Sequence, residues 1–465
     1  MKKYEKYIET SLAGIDEVPQ HWKPIKLKFI GNLYSGLSGK SGDDFYNPEN
    51  PLSRPYISFK NIAGNSKINP AQLDYVVINP DDIQNKVKKG DLFFLMSSEN
   101  FEDIGKTAVL ETELENTYLN SFCRGFRISD KNFDPSFLNY LLSSDLYRQL
   151  MSIEAKGFTR INIQVGKILN FLIYAPYSIK EQRRIAEFLD HQTSIINELI
   201  KQKVKLIQLL KEKRQSIINE VVIKGLNPRS KMKDSGISWL GEMPESWSIT
   251  KLKYIINELE SGVSVNSESI PIEIDSSEKA VLKTSCVFDC SFKPEENKKV
   301  VEEEIDRVKC PVRSNTIIIS RMNTPDLVGA SGYVEKDYPN LFLPDRLWQT
   351  VINESVEVDV EFISYILKSD IYRGVFSTIA TGSSPSMKNI TQSSFLDLPI
   401  PFPEIGEQKS IKEYLKLFDN RIINTIKILE SSVDKLKEYH QSVITEAVTG
   451  KIDVREWQPI KQQVA

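Results

Sequence analysis

The clearest pattern along the chain is a pair of apolar stripes at heptad spacing. Leu189, Ile196, Lys203, Leu210 and Ile217 lie seven residues apart, and Thr193, Ile200, Ile207, Arg214 and Val221 follow each by four. The arrangement recurs as Leu415, Ile422, Leu429, Leu436 and Val443, with Asp419, Ile426, Val433, His440 and Ala447. Stripes sustained over five heptads predict two long helices that pair in a coiled coil, because a helix packed on a single domain rarely keeps so narrow a seam. About 40 residues at 1.5 Å each make a rod about 60 Å long. Gly225 ahead of Pro228, and Gly450, are the stop signals.

The stretch before each long helix reads differently. Short β-type runs, such as Tyr56-Ile57-Ser58-Phe59, Asp91 to Leu95 and Asn315 to Ser320, are punctuated by Gly and Pro, as strands joined by turns are. A helix closes each mixed segment. Asp134 offers an N-cap and Pro135 the first helical position, before Phe137, Leu138, Leu141 and Leu142. Asp359 takes the cap role ahead of Phe362, Ile363, Ile366 and Leu367.

This recurrence is a duplication. Val18-Pro19-Gln20-His21-Trp22 and Met243-Pro244-Glu245-Ser246-Trp247 lie 225 residues apart, as do Ser144 to Arg148 and Ser369 to Arg373. A shift of 226 relates Ser35 to Ser38 with Ser261 to Ser264, Glu181-Gln182 with Glu407-Gln408, and Ser216 to Glu220 with Ser442 to Glu446. One such match is chance; several in one register are two copies of one unit. The expected organisation is a first mixed domain over 1–178, a helical region over 179–226, a second mixed domain over 227–404, a helical region over 405–450 and a tail over 451–465.

Composition narrows the class. With 465 residues, 40% hydrophobic and 26% charged, the chain is a packed globular protein of two to four domains. No apolar run approaches the roughly 18 residues of a membrane helix, and Met1-Lys2-Lys3 has no apolar segment behind it. Four cysteines in this length are no disulfide framework, so a cytoplasmic location is expected. A net charge of −3 neither favours nor excludes nucleic acid, since binding needs a local basic face.

Catalytic chemistry is sparse. Gly39-Lys40-Ser41 lacks the glycine five residues earlier that a phosphate loop requires, since position 34 is Tyr. The three histidines, His21, His191 and His440, accompany no recognisable nucleophile. His440, on a heptad position, reads as a polar core residue. Cys286, Cys290 and Cys310 contain no Cys-x-x-Cys pair and read as buried thiols rather than zinc ligands. No glycine-rich dinucleotide loop opens a helix. No catalytic residue and no metal ligand is therefore assigned.

Two copies joined by two helices are most simply arranged about an approximate two-fold axis, with the helices antiparallel and the mixed domains held apart. Two similar heads at a set separation are how dimeric DNA readers find half-sites. The scaffold segments agree between copies while the intervening ones differ: Leu95-Met96-Ser97-Ser98-Glu99-Asn100 stands where copy two has Ser320-Arg321-Met322-Asn323-Thr324. The pattern predicts a split, non-palindromic site. A scaffold spacing two protein partners, without DNA readout, has the same architecture, and a nuclease or methyltransferase with an unrecognised site is a third reading.

The residues also resemble a known family. Gly236-Ile237 leading to Trp239-Leu240-Gly241-Glu242-Met243-Pro244-Glu245-Ser246-Trp247 is similar to a segment of the specificity subunits of type I restriction-modification systems, as is the weaker version from Gly14 to Trp22. Further matching pieces are Pro176 leading to Glu181 to Ala186, and Leu398 to Pro401 leading to Glu407 to Ile411. Ser320 to Gly329, followed by Pro344-Asp345-Arg346-Leu347-Trp348, resembles a recurrent recognition-domain pattern. Copy one departs at Ala175-Pro176-Tyr177, where a second proline is usual, and Ser11-Leu12-Ala13 replaces the Trp-Leu step. The resemblance implies an α+β chain with two target-recognition domains in pseudo-two-fold arrangement, held apart by an antiparallel coiled coil. It implies double-stranded DNA as ligand, two methyltransferase subunits docked on the long helices, and restriction subunits joining them, with no membrane. S-adenosylmethionine, ATP and Mg would belong to those partners.

Phosphate contacts come from Lys and Arg, and base contacts from Arg, Asn, Ser and Thr in the major groove. The candidates are Lys60, Asn61, Ser98 and Lys106 in copy one, and Arg321, Asn323, Thr324 and Arg346 in copy two. A solvated surface charge is the plain reading of each basic residue, and an ion pair with a neighbouring carboxylate is a second one for Arg346. Leu189, Ile196, Leu210, Ile217, Ile422, Leu429, Leu436 and Val443 mark the helices expected to receive partner subunits. The basic stretch from Lys201 to Arg214 reads as solvation with partial partner contact.

Overall fold

Both heptad-patterned stretches are continuous helices, Ile179–Lys224 and Ile405–Val448. The computed structural model describes residues 2–45, 48–157, 160–274, 276–384 and 387–459. The chain forms two compact units, Met1–Val204 with Ser431–Ala465, and Lys205–Glu430. Each unit therefore takes one half of each long helix.

Within each unit the heptad stripes close a core. In the first, Ile185, Leu189 and Ile196 share one cluster with Val443, Ile444, Ala447 and Val448. In the second, Ile218, Val221 and Val222 share one with Ile411 and Leu415. Two points give the direction in this unit. Arg214 meets Asp419, whereas Gly225, just past the helix, lies near Glu407 at the start of the other. The helices run antiparallel there. Gly225 adopts φ +73°, and a Cβ would stand 3.1 Å from both the Glu407 carboxylate and the Trp247 ring. The stop signal is thus also a packing requirement.

The two units repeat one topology. In the first, a four-stranded antiparallel sheet runs in the order Gly31–Ser35, Cys123–Ile128, Leu92–Leu95, Thr107–Val109. In the second the order is Ile256–Ser261, Leu347–Ile352, Thr316–Ser320, Ser331–Val334. Each sheet has a strand buried from end to end, Leu92–Leu95 and Thr316–Ser320, which is why those runs read as continuously apolar rather than alternating. A second sheet in each unit contains one parallel pairing, Tyr118–Leu119 with Ser53–Ile57 and Ala280–Leu282 with Tyr338–Phe342. A helix pair follows, Pro135–Ser143 with Asp145–Ile153 and Val360–Leu367 with Asp370–Ile379. The predicted caps hold: Asp134 Oδ1 accepts from the backbone N–H of Ser136 and Phe137, and Asp359 Oδ1 from that of Phe362.

The repeated motifs have physical reasons. Gln182 and Gln408 are fully buried. Each accepts from the backbone N–H of a helix-capping aspartate, Asp134 at 2.8 Å and Asp359 at 3.0 Å. Each also donates to a proline carbonyl ahead of its long helix, Pro176 at 2.7 Å and Pro403 at 2.9 Å. The glutamate beside each glutamine takes the indole N–H of the repeated tryptophan, Trp22 on Glu181 and Trp247 on Glu407. Glu181 additionally accepts from Tyr4 and meets His21. The Glu-Gln pair thus ties the start of each long helix to its own mixed domain.

Candidate nucleic-acid interface

In the second unit the buried strand Thr316–Ser320 ends at a surface. The chain leaves it through Arg321, and Met322–Asn323 then pairs with Met387–Asn389. Arg321 is held on three sides. Its backbone N–H donates to Arg346 O at 3.1 Å, its Nε to Asp345 O at 2.7 Å, and its carbonyl accepts from Ile390 N. Asn323 accepts from Thr324 N and donates to Ser320 Oγ, so its amide orients its own turn. Thr324 and Arg346 are exposed. The structure therefore brings Arg321, Asn323, Thr324 and Arg346 to one strand end, with Arg346 directed to solvent.

The turn that follows is braced from behind. Arg373 donates to Val328 O at 2.9 Å and to Asp326 O at 2.6 Å. Gly329 adopts φ +75°, and a Cβ there would meet the Phe376 ring at 2.6 Å. Arg148, the counterpart of Arg373, donates to Glu102 O at 2.6 Å. The repeated Ser-Asp-x-Tyr-Arg segment is thus a brace for the strand-end turn.

The first unit has the same frame with other side chains. Ser97–Ser98 pairs with Ile161–Asn162 at the end of Leu92–Leu95. Three of the four residues chosen there are committed within the protein. Asn61 is buried, and its amide donates to Asn69 O and Gln72 O and accepts from Asn69 N, so it clamps a loop and is unavailable to a duplex. Ser98 is also buried and accepts from Asn100 N. Lys106 is tied to Asp103 at 2.7 Å and to Ala63 O at 3.2 Å. Lys60 alone of the four is exposed.

Strand register reveals a pair that the sequence reading passed over. Cys123 pairs with Leu95 as Leu347 pairs with Ser320, which sets Phe122 at the position of Arg346. Phe122 is exposed, and the Arg160 guanidinium lies 4.5 Å from its ring centroid. Laying Asn120-Ser121-Phe122-Cys123 against Pro344-Asp345-Arg346-Leu347 would have pointed to Phe122. No sequence signal marks Arg160.

Most of the residues that mark the docking helices face inward. Leu189, Ile196 and Val443 are buried, Leu436 and Ile217 pack half-buried on the unit cores, and Leu210, Ile422 and Leu429 are half-buried. The first five hold the long helices on their unit cores and are covered there. Arg214, also on the stripe, makes a two-pronged bond to Asp419, at 3.0 Å for each prong, and Lys368 reaches the same carboxylate at 2.8 Å. Burial works to raise the Asp419 pKa, but the bond from Arg214 and the charges of Lys368 and Arg214 hold it below the usual carboxylate range.

Two units of one α+β topology, each presenting a differently furnished strand end, define a duplicated recognition protein. The chain belongs to the family described as type I restriction modification DNA specificity domain, whose model matches residues 19–209 and 278–431. It is 24% identical over 449 residues to the type I restriction enzyme MjaVIII specificity subunit of Methanocaldococcus jannaschii, covering 94% of each chain. It is 23% identical to the EcoKI specificity subunit of Escherichia coli K12, covering 94% of this chain and 90% of that one. Among solved structures, a chain from a study of assembly and conformational transition of the type I R-M system matches with TM-score 0.67 at 16% identity, over 94% of this chain and 99% of that one. The HsdS subunit from Thermoanaerobacter tengcongensis matches with TM-score 0.53 at 16% identity and the same coverage. These two likenesses concern the fold. Among the described residues, no helix is long and apolar enough to cross a membrane.

Proposed function

We propose that this chain is the non-catalytic DNA-specificity subunit of a type I restriction-modification complex. Each unit reads one half of a split, asymmetric duplex site. One observation carries the asymmetry: on matching frames, the strand end of one unit presents Arg346 over Arg321, and that of the other presents Phe122 under Arg160. Arginine suits the acceptor pair of guanine in the major groove, whereas an aromatic face suits a thymine methyl. Methyl transfer, ATP hydrolysis and cleavage fall to methyltransferase and restriction subunits, which bring S-adenosylmethionine, ATP and Mg. The protein-only adaptor reading has no use for differing polar strand ends on one frame.

Base-resolution mapping of genomic adenine methylation, with and without this chain, tests the reading. The expected result is loss of methylation at one split motif. Unchanged methylation, with the partner subunits expressed, would refute it. Within a positive result, Arg346→Ala should relax one base pair of one half-site, costing about 1–3 kcal/mol there, while Lys60→Ala weakens binding to all sequences and flattens the salt slope.

A further inference from the structure

Each strand end is paired with a hairpin from the next part of the chain. In the first unit Ile161 pairs with Ser98 and Asn162 with Ser97, and in the second Lys388 pairs with Asn323 and Asn389 with Met322. Both hairpins close on the asparagine, which is bridged to Lys156 in one and to Thr381 in the other. A buried isoleucine then fastens each hairpin to its unit. The Ile163 N–H donates to Met96 O at 3.0 Å, and the Ile390 N–H to Arg321 O at 2.9 Å.

This register makes Arg160 and Met387 equivalent, each two residues ahead of its asparagine. A second observation agrees. The carbonyl of each stands against a glycine at the hairpin neck: a Cβ would meet Arg160 O at 2.0 Å on Gly157 and Met387 O at 2.5 Å on Gly382. The close approach needs glycine in both copies and fixes where the next side chain leaves the hairpin, beside the strand end.

The chemistry at these places is exchanged between the units. In the first, the strand end offers Phe122 and the hairpin Arg160; in the second, the strand end offers Arg346 and the hairpin Met387. All four are exposed. A single exposed apolar side chain is ordinary. Here the same two positions hold one arginine and one apolar residue in both units, in opposite order. Among the described residues, no carboxylate or carbonyl accepts a hydrogen bond from the side chain of Arg160 or Arg346. A guanidinium lying over a ring keeps its in-plane N–H donors free, and its planar fork loses little freedom on binding.

We infer that each unit reads two base pairs through this pair of positions, a guanine by the arginine and a thymine methyl by the apolar side chain. The hairpin supplies the arginine in the first unit and the apolar group in the second. The major-groove code carries the assignment: the arginine fork matches guanine O6 and N7, and among the four bases only thymine offers a methyl. The inference rests on the specificity-subunit reading and adds Arg160 and Met387 as specificity-determining residues.

Duplex binding by the full chain, co-expressed with the methyltransferase subunits of its system, tests this on the split motif that methylation mapping yields. Base analogues remove one recognised atom at a time. Uracil for thymine at one position of one half-site should weaken the unaltered chain about fourfold, the worth of one buried methyl, and cost Met387→Ala nothing further. In the other half-site, 7-deazaguanine for one guanine should weaken the unaltered chain about tenfold and cost Arg160→Ala nothing further. Phe122→Ala should lose its response to uracil at a different base pair of that same half-site. All three side chains are exposed, so these substitutions leave the fold intact. Three results would each overturn the inference and leave the DNA reading standing. One is an Arg160→Ala that weakens binding to all duplexes alike and flattens the salt slope, the mark of a phosphate contact. Another is Phe122→Ala and Arg160→Ala relaxing the same base pair. The third is a Met387→Ala that responds to uracil as the unaltered chain does. An unaltered chain that directs methylation to no split motif would overturn both.

Discussion

The inner faces of the two long helices carry matching positions with opposite chemistry. In the second unit Arg214 and Lys368 converge on Asp419, and the Lys368 Nζ also lies 3.6 Å from the Tyr365 ring centroid. In the first unit the matching positions are His440, Ser143 and Thr193. There Thr193 donates back to Leu189 O, and Tyr140, the counterpart of Tyr365, donates to Asp190. The duplication has kept the geometry of the helix pair and exchanged a buried ion cluster for neutral hydroxyls and an imidazole. A buried ion cluster adds little net stability over well-packed neutral residues, but breaking it is costly. The ionic version therefore favours one register: a slip of Ile405–Val448 by one heptad would carry Asp419 away from both half-buried cations.

The largest expected effect follows from that difference. Asp419→Ala strands Arg214 and Lys368 and should destabilise the second unit by about 3–5 kcal/mol. Replacing all three groups by those of the first unit, as Arg214→His, Lys368→Ser and Asp419→Thr together, should cost less than the single change, since no buried charge is left unpaired. Urea denaturation, with hydrogen exchange to locate the loss, measures both. A triple variant weaker than Asp419→Ala would mean that the ions themselves supply the stability.

A second contrast lies at the helix starts. Glu181 is the acceptor for buried Tyr4 and Trp22, while Glu407 accepts from Trp247. Each buried donor left without an acceptor costs about 1–3 kcal/mol. Glu181→Ala should therefore cost roughly twice what Glu407→Ala costs, by the same denaturation measurement. Equal losses would show that the Tyr4 hydroxyl finds water once Glu181 is gone.

What the sequence disclosed follows the range of the forces involved. Heptad spacing, the Asp134 and Asp359 caps and the repeat of Glu-Gln with Trp are local or twice-written signals, and all were readable. The partner of a stripe was not: periodicity says that Leu189 and Val443 lie on a helix face, and only the packed structure says what covers that face. Asn61 and Lys60 are neighbours on one short helix, Phe59–Gly64, yet one is buried and the other exposed, since turning by one residue moves a side chain from the loop it clamps to solvent. The Phe122–Arg160 pair joins residues on separate strand ends, and no spacing rule reaches that far.

The smallest effect separates the two units by pH. Burial pushes the His440 pKa below its ordinary 6.5, opposed by the charge of Asp145. The folded first unit therefore holds the imidazole neutral, while the unfolded chain takes up a proton once pH falls below 6.5. Its contribution is complete above that value and declines as pH falls toward the lower folded pKa. Asp419 is depressed as well, but from 3.8, so the contribution of its cluster persists until strongly acid solution. Between neutrality and about pH 5 the first unit should lose protection from hydrogen exchange, after correction for intrinsic rates, while the second unit keeps its own. His440→Leu should flatten the decline in the first unit and leave the second unchanged. A decline that survives this substitution would place the titrating group elsewhere in the first unit.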